Sequence, residues 1–381
     1  MNKTVLGLII SKPSSAGVLR GIIETNPNLK ASLVLVVDRG TFGNSFEFCH
    51  DHFEDVTYLR CIGDVTDRLP RVESHELLRH LMPNFEGISL WRNLTMALAW
   101  AQNMDSLIFW DDDQYPIAPS DGRDFFEPFL KPLDEGYDLT TCRVYGNRVA
   151  TSREVKHCFD NKALAILEEA LLLCNEVAYP GMFTDSDSVF VGMDREPTVP
   201  IFRFGNKLDM ILGGSCANNL HSDLPPHHQI LNFTGERFAR GCDVFFSTAF
   251  RKMKLKLVDG AYFHDSFSAI TYEKGMNWKT AKLLPMPPTP HETTIRMFRQ
   301  VVKGWLAYAP LLMLLACPDD WKERLERVKS ILRQLSPPYD EYSYCFEKFF
   351  ERLPEDYRRY VDVLDAWPSF RTEIRNSLVS R

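Results

Sequence analysis

Ser106-Leu107-Ile108-Phe109-Trp110-Asp111-Asp112-Asp113-Gln114-Tyr115-Pro116 is the stretch on which the reading of this chain turns. Four apolar residues, Leu107 to Trp110, predict a buried strand that three carboxylates and then a proline close off. Ligands of open α/β sheets bind at the carboxyl edge of the strands, so the acids stand where a site would be. Side chains two apart on an extended segment point the same way, which lets Asp111 and Asp113 converge. Three adjacent negative charges repel one another unless a cation neutralises them, and oxygen ligation suits Mg²⁺ or Mn²⁺ carrying a diphosphate. A solvated acidic turn is the plain alternative for a bare Asp-x-Asp.

The chain around this stretch has 381 residues, 45% of them hydrophobic and 25% charged, enough for one large or two ordinary domains with a sizeable core. A net charge of −7, with no basic tract interleaved with aromatics, argues against a protein built to grip nucleic acid. The nine cysteines are odd in number, scattered and without C-x-x-C pairs. That pattern speaks against a disulfide framework or a thiolate zinc site and fits a reducing, cytoplasmic compartment. Val5 to Ile10 is too short for the apolar core of a signal peptide and is read as a first strand. Trp305 to Cys317 contains Pro310 and falls short of the ~20 residues needed to cross a bilayer. A buried helix is expected there, with a position peripheral to a membrane as the alternative.

Residues 4–10 and 33–37 are apolar, β-branched runs with almost no polar interruption, the pattern of parallel strands covered on both faces, and 14–25 between them reads as a helix. Asp38, at the end of the second strand, could bond a ribose or a base, or simply start the turn before Gly40. The loop Ser11 to Ser15 carries neither a dinucleotide fingerprint nor a P-loop. Gly87 to Gln102 predicts a helix, with apolar residues at 90, 91, 94, 98 and 101. Arg92 and Asn93 lie near its start, where backbone N–H groups and a guanidinium favour phosphate, although a solvated arginine is the alternative. Further strands are expected at 56–61 and 137–144, and helices at 124–130 and 161–178. A second Asp-x-Asp, Asp185 to Asp187, follows no strand and reads as a turn; His227-His228, after two prolines, reads as a surface loop. Gly213-Gly214 permits close backbone approach to a ligand, or a tight turn. Asp243 stands at the start of a predicted helix, a position that favours a carboxylate and equally suits an N-cap. Lys254 to Phe263 alternates as a strand that would return His264 beside the acidic strand.

In this order the pieces resemble the GT-A nucleotide-sugar glycosyltransferases. The resemblance rests on Leu33 to Gly40, Gly87 to Asn93, Leu107 to Asp113, Gly213 to Ser215, and Arg240 to Ser247 with Tyr262 to Asp265. It implies an α/β fold: a Rossmann-like, mostly parallel central sheet flanked by helices, with a helical C-terminal extension. It also implies a catalytic domain over 1–284, with a nucleotide-binding half over 1–120 and an acceptor-binding half over 121–284. The implied reaction moves a sugar from a UDP- or GDP-sugar to a hydroxyl acceptor, saccharide or lipid-linked, with inversion. Implied donor contacts are Asp38, Arg92, Asp111, Asp112, Gly213 and Gly214. Implied metal ligands are Asp111, Asp113 and His264, whose imidazole favours Mn²⁺ over Mg²⁺. Asp243 is the implied general base. Family members often carry Glu-Asp where this chain has Cys242-Asp243, which makes Glu236 the substitute.

Pro285 to Pro290 reads as a stiff connector, and residues 292–309, 320–335 and 340–379 beyond it as amphipathic helices, a helical region over 285–381. Their apolar stripes serve as core, or as a docking face for an oligomeric partner or a lipid-linked acceptor. Two other functions share parts of the pattern. A sugar-phosphate nucleotidylyltransferase also places acids on a metal, but chains of that class carry a glycine-rich signature after the first strand that Ser11 to Ser15 lacks. A non-catalytic carbohydrate-binding or scaffold protein would keep the sheet without the chemistry.

Overall fold

The computed structural model describes residues 3–10, 15–37, 43–69, 88–146, 159–176, 178, 180–183, 201–204, 208–211, 215–230, 241–249, 254–264 and 292–376. Its first part contains β1 (Thr4–Ile10), α1 (Ala16–Thr25), β2 (Ala31–Val37), β3 (Asp55–Leu59), α2 (Ile62–Thr66), α3 (Ile88–Ala101), β4 (Ser106–Asp111) and β5 (Gln114–Pro116). The middle adds α4 (Glu127–Asp134), β6 (Leu139–Gly146), α5 (Asn161–Cys174), β7 (Ile201–Phe204), β8 (Leu208–Ile211), β9 (Cys216–Asn219), α6 (Cys242–Ala249) and β10 (Leu255–His264). Three helices follow, α7 (Glu292–Ala316), α8 (Trp321–Leu332) and α9 (Asp340–Asn376). The connector read at 285–290 lies outside the described residues.

Eight strands form one sheet in the order β3-β2-β1-β4-β9-β6-β10-β5. β3, β2, β1 and β4 run parallel, as do β6 and β10. β9 pairs antiparallel to both β4 and β6, so those two point the same way. The carboxyl ends of β1, β4, β6 and β10 therefore share one edge. The chain is thus an α/β protein with a mostly parallel sheet flanked by helices. The order reverses at β1, whose two neighbours are β2 and β4, and the crevice outside such a switch point is where open α/β sheets take ligands.

Alternation along the strands explains why both faces are covered. Val5, Val34, Leu107 and Phe109 belong to one core, closed by α3, while Leu6, Leu8, Leu35, Ile108 and Trp110 belong to the other, closed by α1 and by Phe125, Phe126 and Phe129. Gly7 is where α3 comes closest to the sheet, since a Cβ there would stand 2.9 Å from Thr95 Cγ2. A third core joins α5 and α6 to α7, α8 and the first part of α9. The last part of α9 crosses to α3, placing Val363, Trp367, Phe370 and Ile374 in the core under the sheet. The C-terminal helices are thus part of the packing that supports the sheet.

Two expectations need correction. Pro116 does not end pairing at the acids: the chain turns after Asp113 and adds β5 to the sheet's edge, antiparallel to β10. An edge is where a strand proline is tolerated, because no partner needs its missing N–H. The helix read over 161–178 stops at Cys174. Among the described residues no helix is long and apolar enough to cross a membrane, and the eight described cysteines form no disulfide with one another.

Candidate active site

The acidic turn sits at the shared carboxyl edge. Asp111 is the last residue of β4 and pairs in register with Ile9 of β1, at the switch point. Because β5 folds straight back onto β10, Gln114 lies opposite His264, and this pairing carries the histidine to the acids. His264 Nε2 stands 3.4 Å from Asp113 Oδ2, and both side chains are about a quarter exposed, at 23% each. Asp112 points elsewhere: its Oδ2 accepts a 2.6 Å hydrogen bond from Ser15 Oγ, which ties the turn to the start of α1.

Asp111 turns toward α3. Arg92, buried, donates from Nη2 to Asp111 Oδ1 at 2.9 Å and from Nη1 to Asp243 Oδ1. It therefore bridges two carboxylates 132 positions apart, each about a third exposed, at 35% and 29% of the side chain. Burial opposes the guanidinium's charge, but Asp243, Cys242 and Asp111 outweigh it and hold its pKa well above the ordinary value. Its face lies over the Phe109 ring, 5.7 Å from the centroid. The sequence suggests a phosphate ligand at this position; the structure places a carboxylate clamp.

Asp243 lies in the first turn of α6. Gly241, which precedes that helix, has φ +96°, and a Cβ on it would stand 2.7 Å from the Phe245 ring, so the turn into α6 needs glycine. Asp38, Gly213, Gly214, Glu236 and the Asp185–Asp187 pair lie outside the described residues.

His227 and His228, read as a surface loop, are both buried. His227 stacks on Phe246, with centroids 4.3 Å apart and rings 11° from parallel, and meets Phe109 edge-on. Burial first, and then the charge of Arg92, push its pKa well down, so it is neutral. Asn93 holds this segment by exchanging two 2.8 Å hydrogen bonds with the His227 backbone. Gln229 Oε1 accepts from Ser89 N at 3.1 Å, which occupies one of the α3 N-terminal N–H groups that the sequence offers to phosphate. The signal of this packing in the sequence is Asn93 itself, an amide in a mostly apolar helix.

Among the described residues no group of three His, Cys, Asp or Glu side chains is arranged to hold a metal ion on its own. The convergent pair is Asp113 with His264, a carboxylate and an imidazole. That donor set fits a divalent ion whose coordination is completed by substrate oxygens, the usual arrangement where one or two side chains and phosphates share the ion.

No protein-family model and no curated protein sequence matches the chain. Among solved structures it is similar to glucosyl-3-phosphoglycerate synthase from Mycobacterium tuberculosis, in complex with Mn²⁺, UDP-glucose and phosphoglyceric acid. The two are 14% identical over 81% of this chain and 80% of that one, with a TM-score of 0.36. It is also similar to mouse xyloside xylosyltransferase 1, in its apo form, at 12% identity over 57% of this chain and 66% of that one, with a TM-score of 0.27.

Proposed function

We propose that this chain is a metal-dependent glycosyltransferase that moves a sugar from a nucleoside-diphosphate sugar to a hydroxyl acceptor, with inversion and with Asp243 as general base. The observation that carries the reading is the meeting, at one sheet edge, of the Asp113–His264 pair and the Asp111–Arg92–Asp243 bridge. Asp113 and His264 would hold Mn²⁺ or Mg²⁺, and the ion would offset the charge that builds on the departing diphosphate. Asp111, fixed by Arg92, borders the crevice at the switch point, where it would meet the nucleotide's ribose. Asp38 and Gly213-Gly214 remain proposed donor contacts, and Glu236 the substitute base.

In the reaction the acceptor oxygen attacks the anomeric carbon. The bond from that carbon to the phosphate oxygen breaks, and its electron pair leaves with the nucleoside diphosphate. The acceptor's proton goes to Asp243, whose Oδ1 is held by Arg92 and whose Oδ2 is the oxygen that would receive it.

Calorimetry with uridine and guanosine diphosphates, with and without Mn²⁺, tests the reading. One of the two should bind only with the metal, and Asp113→Ala should remove that binding. Binding of neither, with or without the ion, would leave a non-catalytic protein. Nucleoside triphosphate binding with release of pyrophosphate would point instead to a nucleotidylyltransferase.

A further inference from the structure

Near the Asp243 end of the Arg92 bridge lies another carboxyl group to which the transfer reaction gives no task. Glu176, two residues past α5, is buried. Its Oε1 accepts a 2.7 Å hydrogen bond from the Tyr308 hydroxyl on α7, and that hydroxyl also takes a 2.9 Å bond from Asn175 Nδ2. Among the described residues Glu176 Oε2 is buried without a hydrogen-bond partner. Tyr308 in turn packs on the start of α6: its Cβ stands 3.3 Å from where a Cβ on Gly241 would be, and its ring meets Phe245 edge-on at 6.2 Å. A continuous line of contacts therefore runs from Glu176 through Tyr308 to the turn that presents Asp243.

We propose that Glu176 is a positioning residue for Asp243, holding Tyr308 and through it the N-terminal end of α6. The proposal rests on the reading of Asp243 as proton acceptor. A buried carboxylate with one orphaned oxygen is costly, whereas the neutral acid loses far less on burial. Burial chiefly, and the charge of Asp243 in addition, push the Glu176 pKa up to about 7 against the opposing bonds from its own backbone N–H and from Tyr308. Among the described residues the titratable groups facing it are Tyr308 from α7, Asp243 from α6 and, at the end of α5, Cys174, whose thiol is itself driven far up by burial and by Glu176. Above about pH 7 Glu176 ionises and adds a buried negative charge near the partly exposed Asp243.

Thermal unfolding of the full chain across about pH 5 to 8.5 tests this. A carboxyl that binds its proton more tightly in the folded state stabilises the fold below the ordinary carboxylate range and loses that contribution as pH rises through its folded pKa. The wild type should therefore lose several degrees of Tm relative to Glu176→Gln as pH rises to about 7. Asp243→Asn should move that loss to lower pH, because it removes a charge that favours the proton. Tyr308→Phe should move it to higher pH, because it removes a bond that favours the carboxylate. With a transferable donor, Glu176→Gln should also abolish a fall in kcat above about pH 7, while leaving the donor KM within about twofold. A Tm difference that is constant with pH, or one that neither Asp243→Asn nor Tyr308→Phe displaces, would overturn the proposal. So would superimposable kcat profiles. If no nucleotide sugar is transferred, the glycosyltransferase reading fails, while the unfolding series still decides whether Glu176 holds a proton coupled to Asp243.

Discussion

Asp243→Asn is expected to lower the rate of sugar transfer by about 10²–10⁴, the usual contribution of a positioned general base, while metal-dependent nucleotide binding stays within about threefold of wild type. The substitution is close to isosteric, and Asp243 lies at the start of α6 rather than beside the Asp113–His264 pair. The amide keeps an oxygen for Arg92, and Arg92 keeps Asp111. What disappears is the capacity to take the acceptor's proton. Single-turnover transfer measured beside calorimetry separates the two quantities. Equal loss of binding and transfer would remove Asp243 from the base role and make it part of the donor site.

Arg92 carries the second large effect. Arg92→Met fills most of the same volume but leaves Asp111 and Asp243 facing each other across the crevice floor without their shared cation. Removing one partner from a buried ion pair costs about 3–5 kcal/mol, and since the two carboxylates are partly solvated here, the lower end, about 3 kcal/mol, is expected by denaturant titration. Arg92→Lys should restore part of the stability but little of the transfer, because a single ammonium cannot fork to two carboxylates as a planar guanidinium does. If Arg92→Met instead proved neutral in stability and weakened only nucleotide binding, the phosphate-ligand assignment suggested by the sequence would be the better one.

The fold was legible where physical constraints act locally. The β-branched runs of β1 and β2, the apolar run of β4 and the helical spacing of α3 each carry their own period, and the short connections through α1 and from α3 to β4 leave few local arrangements open. The approach of His264 to Asp113 was legible too, because an alternating strand ending in histidine could be set against a strand ending in acids. The rest required contacts between distant segments. Arg92 looks like any helix arginine until Asp243 is brought from 151 positions away to share it with Asp111. The two histidines after Pro225-Pro226 carry every local mark of a loop, and only the Phe246 ring stacked on His227 and the Asn93 clamp explain their burial. Glu176 follows the end of a helix with nothing in its neighbourhood to predict that Tyr308 will meet it.

Under the proposed function the site is directional, with metal and diphosphate at Asp113 and His264, the ribose by Asp111, and the acceptor on the α6 side. A crystal soaked with a nucleotide sugar and Mn²⁺, with anomalous scattering collected for manganese, tests that arrangement most directly. The account predicts a manganese peak bonded to Asp113 and His264 Nε2, with the diphosphate on the same ion and the sugar's anomeric carbon turned toward Asp243. A manganese peak away from His264, or a diphosphate bound outside the carboxyl edge of β4 and β10, would contradict it.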